Sequence, residues 1–84
     1  MLIDERINQL KEQIKNEKSP REKAGLLVDL SDFYLRYNYN LKEAKLHASQ
    51  ALAIAENNKE PRIKAMSLNN LSTSHRQEGK IEEA

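Results

Sequence analysis

The side chains that could do metal chemistry are few in this sequence. The two histidines, His47 and His75, fall on stretches with separate helical patterns, and the chain has no cysteine to add a thiolate ligand. Glu43 and His47 are four residues apart, whereas the glutamate and histidine ligands of di-iron helical bundles are three apart. Because a lone helical histidine is usually structural or solvated, we expect neither a metal nor a cofactor.

Ser31, Asp32 and His75 are the residues from which a catalytic triad could be drawn. Nucleophilic catalysis also needs a strained turn that presents the serine and hydrogen-bond donors that stabilise the oxyanion. Ser31 and Asp32 lie instead within an amphipathic helical pattern that supplies neither. We therefore predict that the chain is not an enzyme.

Four aromatic residues fall close together in the sequence, at Phe33, Tyr34, Tyr37 and Tyr39. Aromatic rings can stack on the bases of single-stranded nucleic acid. Nucleic-acid binding also needs a basic face, however, and this chain has a net charge of +1 with its charges mixed along the whole length. Packing in a helix core and a turn explains these rings better, and we expect no nucleic-acid partner.

The composition describes one small domain of 84 residues, with two glycines, two prolines and good helix formers nearly everywhere. Asp4 and Glu5 stand where a secretion signal would need an uninterrupted apolar stretch. No later segment is apolar over the length of a membrane span. We therefore expect an all-α, cytoplasmic protein with no membrane partner.

Two helices are predicted in the first half of the chain. The first carries apolar residues at spacings of four, three and four, which predict one apolar face: Ile3, Ile7, Leu10 and Ile14. The second begins where Ser19 caps the helix, Pro20 occupies its first turn and Glu22 returns a hydrogen bond to the cap. Its contact stripe consists of Ala24, Leu27, Leu30 and Tyr34. It is expected to end near Asn38, in a turn of residues 37–40.

Two further helices are predicted in the second half. The third covers residues 41–56 and has a contact face that is mostly alanine: Ala44, Ala48, Ala51, Leu52 and Ala55. The fourth opens at Pro61 and is expected to pack through a stripe of Ala65, Leu68, Leu71 and His75. Gly79 is expected to cap it, so that residues 81–84 begin a fifth helix.

The chain repeats itself at an offset of 41 residues. Residues 20–31 (PREKAGLLVDLS) and residues 61–72 (PRIKAMSLNNLS) are identical at seven of twelve positions, including the proline that opens each helix. The same offset aligns Asn38 with Gly79 and, applied backwards, aligns the first predicted helix with the third. Self-similarity at such a period is typical of stacked helical hairpins.

A small-large-large helix, a glycine turn and a second helix that opens with Glu-Ala resemble the tetratricopeptide repeat. Residues 65–72 (AMSLNNLS) and 79–84 (GKIEEA) are most similar to the long-period variety of kinesin light chains and many bacterial regulators. The resemblance implies a short right-handed solenoid of antiparallel helical hairpins, with about four helices and a truncated fifth. It implies one domain over residues 1–84: the second helix of a preceding half-unit (1–18), a complete repeat (20–57) and a truncated repeat (61–84).

The residue types agree with this packing in part. Ser31 and Ala44 are small where paired helices are expected to cross. Ser31 and Ser72 stand where the family usually has glycine or alanine, His75 where it often has tyrosine, and Ala48 where a bulkier aromatic residue is common. Ala48 is therefore expected to leave a gap that a neighbour fills.

Tetratricopeptide arrays generally bind peptides in a concave groove lined by the first helix of each unit. The resemblance therefore implies a non-catalytic protein–protein interaction module, or scaffold, whose partner is a protein or a peptide. Nine residues on the second and fourth helices are candidates for this groove: Val28, Asp32, Leu35, Arg36, Asn69, Asn70, Thr73, Arg76 and Gln77. Asn70 stands where family members use an asparagine amide, both donor and acceptor, to bond the backbone of a bound peptide.

The groove is not expected to hold a C-terminal carboxylate. Val28 and Asp32 stand where the chaperone-tail variety of the family has a lysine and an asparagine. Asp29 and Asp32 beside Arg36 indicate a groove of mixed charge instead.

Two alternatives stay open. The chain could be the regulatory or sensor segment of a larger signalling protein, or a module that only forms homo-oligomers. About three repeats are usually needed for a stable array, and this chain holds about two. We therefore expect either a piece of a longer array or a homodimer in which the fourth helix pairs with another copy through the open C-terminal face.

Overall fold

The structure, a computed structural model, describes residues 3–38 and 40–83, and it is helical almost throughout. The four helices are α1 (Ile3–Asn16), α2 (Pro20–Phe33), α3 (Leu41–Asn57) and α4 (Pro61–Glu83), and a π-helical turn (Tyr34–Asn38) extends α2. The described residues form no strand. The all-α prediction is confirmed, as are the predicted starts of α2, α3 and α4. Tyr39, part of the predicted turn, lies outside them.

Side-chain caps explain where two of the helices begin. The Ser19 hydroxyl accepts a hydrogen bond from the Glu22 N–H at the start of α2, and the Asn40 side chain accepts one from the Glu43 N–H at the start of α3. Each bond satisfies one of the backbone donors that a helix start leaves free. The return bond predicted for Glu22 is wrong, because the Ser19 N–H donates to the Glu17 carboxylate at 3.1 Å.

Consecutive helices run antiparallel. Ser31, near the end of α2, meets Ala44, near the start of α3, whereas Ala24 and Leu27 pack against Ala51 and Ala55 further along α3. Between α3 and α4, Lys45 reaches Glu78, and Ala55 packs with Ile63. It follows that α2 and α4 run parallel to each other, both against α3.

The molecule is two helices thick. Its principal extents are 41 × 30 × 14 Å, and about 14 Å is the Cα thickness of two helices whose axes are 8–10 Å apart. The core divides between two clusters of buried residues along α2. One contains Ala24, Leu27, Val28, Ala51, Ala55 and Ile63, and the other Ile7, Leu10, Leu30, Tyr34 and Ala44.

Small side chains let α3 lie close to both of its neighbours. Ala44, Ala48, Ala51 and Ala55 are all buried, as their spacing predicted. At the crossing with α2 the Ser31 hydroxyl donates to the Ala44 carbonyl at 2.8 Å, with both residues wholly buried. Such a bond forms only where two helix backbones approach closely, so the small residues determine the separation of α2 and α3. Ala48 leaves no gap open to solvent, since it is fully buried.

The contact stripe predicted for α4 is wrong. Over residues 61–80 the buried side chains of this helix are Ile63, Ser67, Asn70 and Ser74, whereas Ala65, Leu68 and His75 are exposed and Leu71 is half-buried. Ser67 and Ser74 each donate a hydrogen bond to the carbonyl four residues earlier, at 2.8 Å, which satisfies their buried hydroxyls. The repeat misled the prediction because Ala65 and Leu68 correspond to α2 residues that pack against the helix that follows them.

Gly79 does not cap α4, and residues 81–83 do not begin a fifth helix. The helix continues through Gly79 to Glu83, and the glycine has no positive φ. A glycine inside a helix is less favourable than alanine by about 1 kcal/mol. The Cβ of a residue at this position would meet no atom within 4 Å.

None of the helices in the described part of the chain has a stretch both long and apolar enough to cross a membrane.

Enlarging a residue of the α3 stripe should destabilise the fold. We expect Ala51→Leu to lower the free energy of unfolding by about 1–3 kcal/mol, because the added carbons overfill a wholly buried site between α2 and α4. Ala53→Leu, an exposed position on the same helix, should change it by less than about 0.5 kcal/mol. Urea unfolding followed by circular dichroism measures both, and equal effects would contradict the packing described here.

The Lys45–Glu78 ion pair between α3 and α4 should make stability depend on pH. The Lys45 ammonium, 2.8 Å from the carboxylate, lowers the pKa of Glu78 below its ordinary value of 4.5 by hydrogen bonding. A lowered folded-state pKa contributes stability above the ordinary pKa, and this stability is lost as the pH falls through the lowered value.

We therefore expect Glu78→Gln to remove part of the loss of stability that the wild type shows between about pH 5 and pH 3. The matched control is Glu56→Gln. Glu56 also pairs across these helices, with Lys64 at 3.7 Å, but both side chains are about half exposed, so its contribution should be small. Chemical unfolding at a series of pH values measures the effect. The same pH dependence in the wild type and Glu78→Gln would contradict it.

Candidate functional site

The surface along the parallel pair α2 and α4 is where the predicted binding residues fall. Between the first turns of these helices lies an open groove of about 420 Å³. Its lining consists of Arg21, Glu22, Gly25, Leu26, Asp29, Ile63 and Met66. The groove therefore combines apolar side chains with charges of both signs, and its α2 wall has no side chain at Gly25.

The structure brings two of the nine predicted residues together where α2 packs against α4. Val28 and Asn70 are both buried, and the Asn70 amide donates to the Val28 carbonyl at 3.5 Å, at the long end of the hydrogen-bond range. The Asn70 carbonyl in turn accepts from the Ser74 hydroxyl. In this arrangement the Asn70 amide joins α2 to α4, so truncating this side chain would change the stability of the fold as well as any ligand binding.

The other seven predicted residues lie at the surface. Arg36, Asn69 and Arg76 are exposed, and Asp32, Leu35, Thr73 and Gln77 are half-buried. On α2 Asp32 follows Gly25 by two turns, and on α4 Thr73 follows Met66 by two turns, whereas Arg36 lies in the π-helical turn that extends α2. None of the nine predicted residues lines the groove itself. Asp32 and Thr73 lie beyond it, toward the C-terminal ends of the two helices, and Leu35 packs beside the cluster that contains Leu30 and Tyr34.

Gly25 and Met66 are lining residues that the sequence analysis missed. They precede the first predicted residue of each helix, Val28 and Asn69, by about one turn and lie on the same helix faces. Extending the predicted stripe of each helix by one turn toward its N-terminus would have found them. Met66 is one of the large apolar side chains that the fold leaves exposed, and a flexible thioether adapts to irregular apolar ligands.

Asp29 in the groove and the neighbouring Asp32 differ in their electrostatic surroundings. Loss of solvent around the carboxyl and the nearby Asp32 charge raise the pKa of Asp29, although the Arg6 guanidinium on α1 partly opposes them. Asp32 itself pairs with Arg36 at 3.5 Å, on the same helix. Asp29 is therefore the carboxylate with more to gain from a cationic ligand.

A second groove is larger, but only one of its lining residues is apolar. It measures about 610 Å³ and lies between α1 and α2, lined by Gln9, Glu12, Gln13, Asn16, Glu17, Glu22 and Leu26. Apart from Leu26 its lining residues are of polar types, whereas the groove between α2 and α4 also has Ile63 and Met66 as apolar side chains.

The histidines have structural surroundings. The His47 ring stacks on Tyr34 with ring centres 5.7 Å apart, and its Nε2 lies 3.1 Å from the Glu43 carboxylate. His75 lies on α4, 3.8 Å from Glu78. Ser31, the serine of the hypothetical triad, is fully buried and donates to a backbone carbonyl. Within the described residues, no three histidine or carboxylate side chains are grouped so that they could hold a metal ion.

Comparison of the chain with protein-family models, curated proteins and solved structures finds no significant match.

Asp29 should titrate above the usual range for an aspartate, and its charge should oppose folding at neutral pH. A raised folded-state pKa means that the stability present below the ordinary pKa of 3.8 is lost as the pH rises through the raised value. We therefore expect Asp29→Asn to stabilise the fold at pH 7, by at most about 0.5 kcal/mol because solvent screens the site, and to have little effect at pH 3.

Carboxyl NMR titration gives a direct check on Asp29. Asp32→Asn removes a neighbouring negative charge and should shift the Asp29 titration to lower pH. An Asp29 titration that does not move in Asp32→Asn would contradict the proposed cause.

Proposed function

We propose that this chain is a non-catalytic protein-interaction module that binds an extended segment of a partner protein in the groove between α2 and α4. The observation that carries the proposal is the open groove between two parallel, sequence-related helices, with Met66 and Leu26 as apolar contacts and Asp29 as a charged one. Grooves of this kind, with a few polar groups among apolar ones, are the usual peptide sites of helical proteins.

The interpretation of the helix arrangement as similar to tetratricopeptide repeats also supports this proposal. In the described residues α2 and α4 start alike, each at a proline, and both pack on α3. The Asn70–Val28 contact joins residues 42 apart, close to the repeat offset of 41. An array whose units are related in this way presents its equivalent helices side by side, and a peptide lying across them meets the same positions of successive units.

The ligand chemistry that suits this groove is an extended peptide with an apolar side chain next to a basic one. The apolar side chain would contact Met66 and Leu26, and the basic one would approach Asp29, whose charge it stabilises. Arg21 and Glu22 at the open end would favour a polar residue there. A peptide that ends in a carboxylate gains little, because the wall is acidic at Asp29 and Asp32 and Arg36 already pairs with Asp32.

Filling the groove tests this function without disturbing the core. A Cβ at Gly25 would meet no atom within 4 Å, so Gly25→Phe should fold and place its ring in the groove. We expect it to weaken peptide binding at least tenfold, because the ring occupies the ligand's space. The matched control is Ser49→Phe, which adds the same ring at an exposed position on α3.

The probe is a displayed library of random twelve-residue peptides, selected on the wild type and measured afterwards by fluorescence anisotropy against all three proteins. Peptides that bind the wild type and Ser49→Phe equally well but bind Gly25→Phe more weakly would support binding in the groove. A library that yields no binder, or binders indifferent to Gly25→Phe, would overturn it. Circular dichroism establishes that each variant is folded.

A further inference from the structure

The outer face of α4, defined by Ala65, Leu68, Ser72 and His75, has the residues of a packed helix interface but is exposed. Its counterparts 41 residues earlier on α2 are Ala24, Leu27, Ser31 and Tyr34, and all four of these are buried. Three of the four pairs are identical in residue type. The same side chains are thus at the core in one helix and at the surface in the other.

The difference between the two faces is the helix that covers one of them. The α2 face is covered by α3, whose small residues let the backbones approach until Ser31 donates to the Ala44 carbonyl. Among the described residues no helix lies against the outer face of α4. Leu68 consequently has 45% of its surface exposed, on a helix whose other side is already packed against α3.

Small residues recur along this face at every seventh position, at Ala65, Ser72 and Gly79. Leu68 and His75 lie between them, also seven apart. A seven-residue repeat of this kind keeps one seam facing a partner helix over several turns. Because α4 continues as a helix through Gly79, the seam is unbroken over three small residues, and the glycine, which a monomeric helix would replace favourably by alanine, allows close approach there.

We propose that this face binds the same face of a second copy of the chain, with the two α4 helices antiparallel about a twofold axis near Ser72. In this arrangement Ala65 lies opposite the partner's Gly79, and Leu68 lies near the partner's His75. The two small residues face each other at both ends of the seam, so no large side chain holds the helices apart.

Charge favours the antiparallel orientation. Lys64 and Glu78 lie on one flank of the seam, two heptads apart, near opposite ends of it. Antiparallel pairing brings Lys64 near the partner's Glu78 at both ends, whereas in a parallel pair each flank faces the partner's opposite flank, so these two charges do not meet. The present partners of these side chains do not prevent this, because Lys64 and Glu56 are about half exposed and Glu78 is 41% exposed beside Lys45. The two helix macrodipoles also point in opposite directions in the antiparallel pair, which is favourable.

The pairing uses a different surface from the peptide groove. Asn69 and Thr73 lie between the groove and the outer face, so a dimer leaves Gly25 and Met66 open. One pair of helices buries less than the about 1,200–2,000 Å² of a typical stable interface. The dimer is therefore expected to dissociate in the micromolar range.

The first test is the molar mass of the full chain by light scattering on a sizing column, at loading concentrations from about 1 to 500 µM. The wild type should move from monomer to dimer over this range. Leu68→Glu should remain monomeric, with dissociation at least tenfold more favourable. Leu46→Glu is the matched control, because Leu46 on α3 is 48% exposed, and it should dimerise like the wild type. A wild type that is monomeric throughout, or equal effects of both variants, would overturn the proposal.

Gly79→Ala separates association from folding. It should raise the thermal stability of the monomer, since the added methyl group meets nothing and alanine favours the helix, and it should weaken dimerisation several-fold. If it raises stability and leaves dimerisation unchanged, Gly79 is not in the seam and the proposed register is wrong.

Cysteine pairing tests the orientation, since the chain has no cysteine of its own. Ser72→Cys should form a disulfide-linked dimer under mild oxidation, because the two copies meet at this residue. Ala65→Cys, also exposed, should not, because its opposite is the partner's Gly79. Linkage at both positions would mean parallel or unspecific pairing, and linkage at neither would mean that the faces do not meet; both results would overturn the proposal.

Discussion

The close approach of helices at small residues is the constraint on which this structure depends. Ala44, Ala48, Ala51 and Ala55 give α3 almost no side-chain thickness on its buried faces. Apolar area alone would stabilise a larger separation with longer side chains just as well. The hydrogen bond from Ser31 to the Ala44 carbonyl is possible only at this short separation, so it selects one relative position of α2 and α3.

The position of α3 determines what the rest of the molecule can present. Since α2 and α4 both pack on it, they lie parallel and side by side, and the groove between their first turns follows from that placement. The ion pairs add little to this arrangement. Each described ion pair has at least one partly exposed side chain. Solvent weakens such pairs, both those within one helix and those between neighbouring helices.

The two sides of α4 differ in chemistry. Its packed side is largely polar, with Ser67, Asn70 and Ser74 buried and each hydroxyl bonded within the helix. Its outer side carries Ala65 and Leu68. A free-standing helical protein would be expected to have these sides reversed, because apolar area is normally buried first. The repeat explains this arrangement, because the outer side has the residue types of the α2 side that α3 covers.

The sequence by itself determined the starts of α2, α3 and α4, the alanine face of α3 and the crossing of α2 and α3 at Ser31 and Ala44. These follow from local periodicity, proline and cap signals, which act within one or two turns. The tertiary structure decided which face of α4 is buried, that Asn70 lies between α2 and α4, and that the helix continues through Gly79. The reason is physical: α4 has two faces able to pack, and only the presence of α3, on one side and not the other, distinguishes between them.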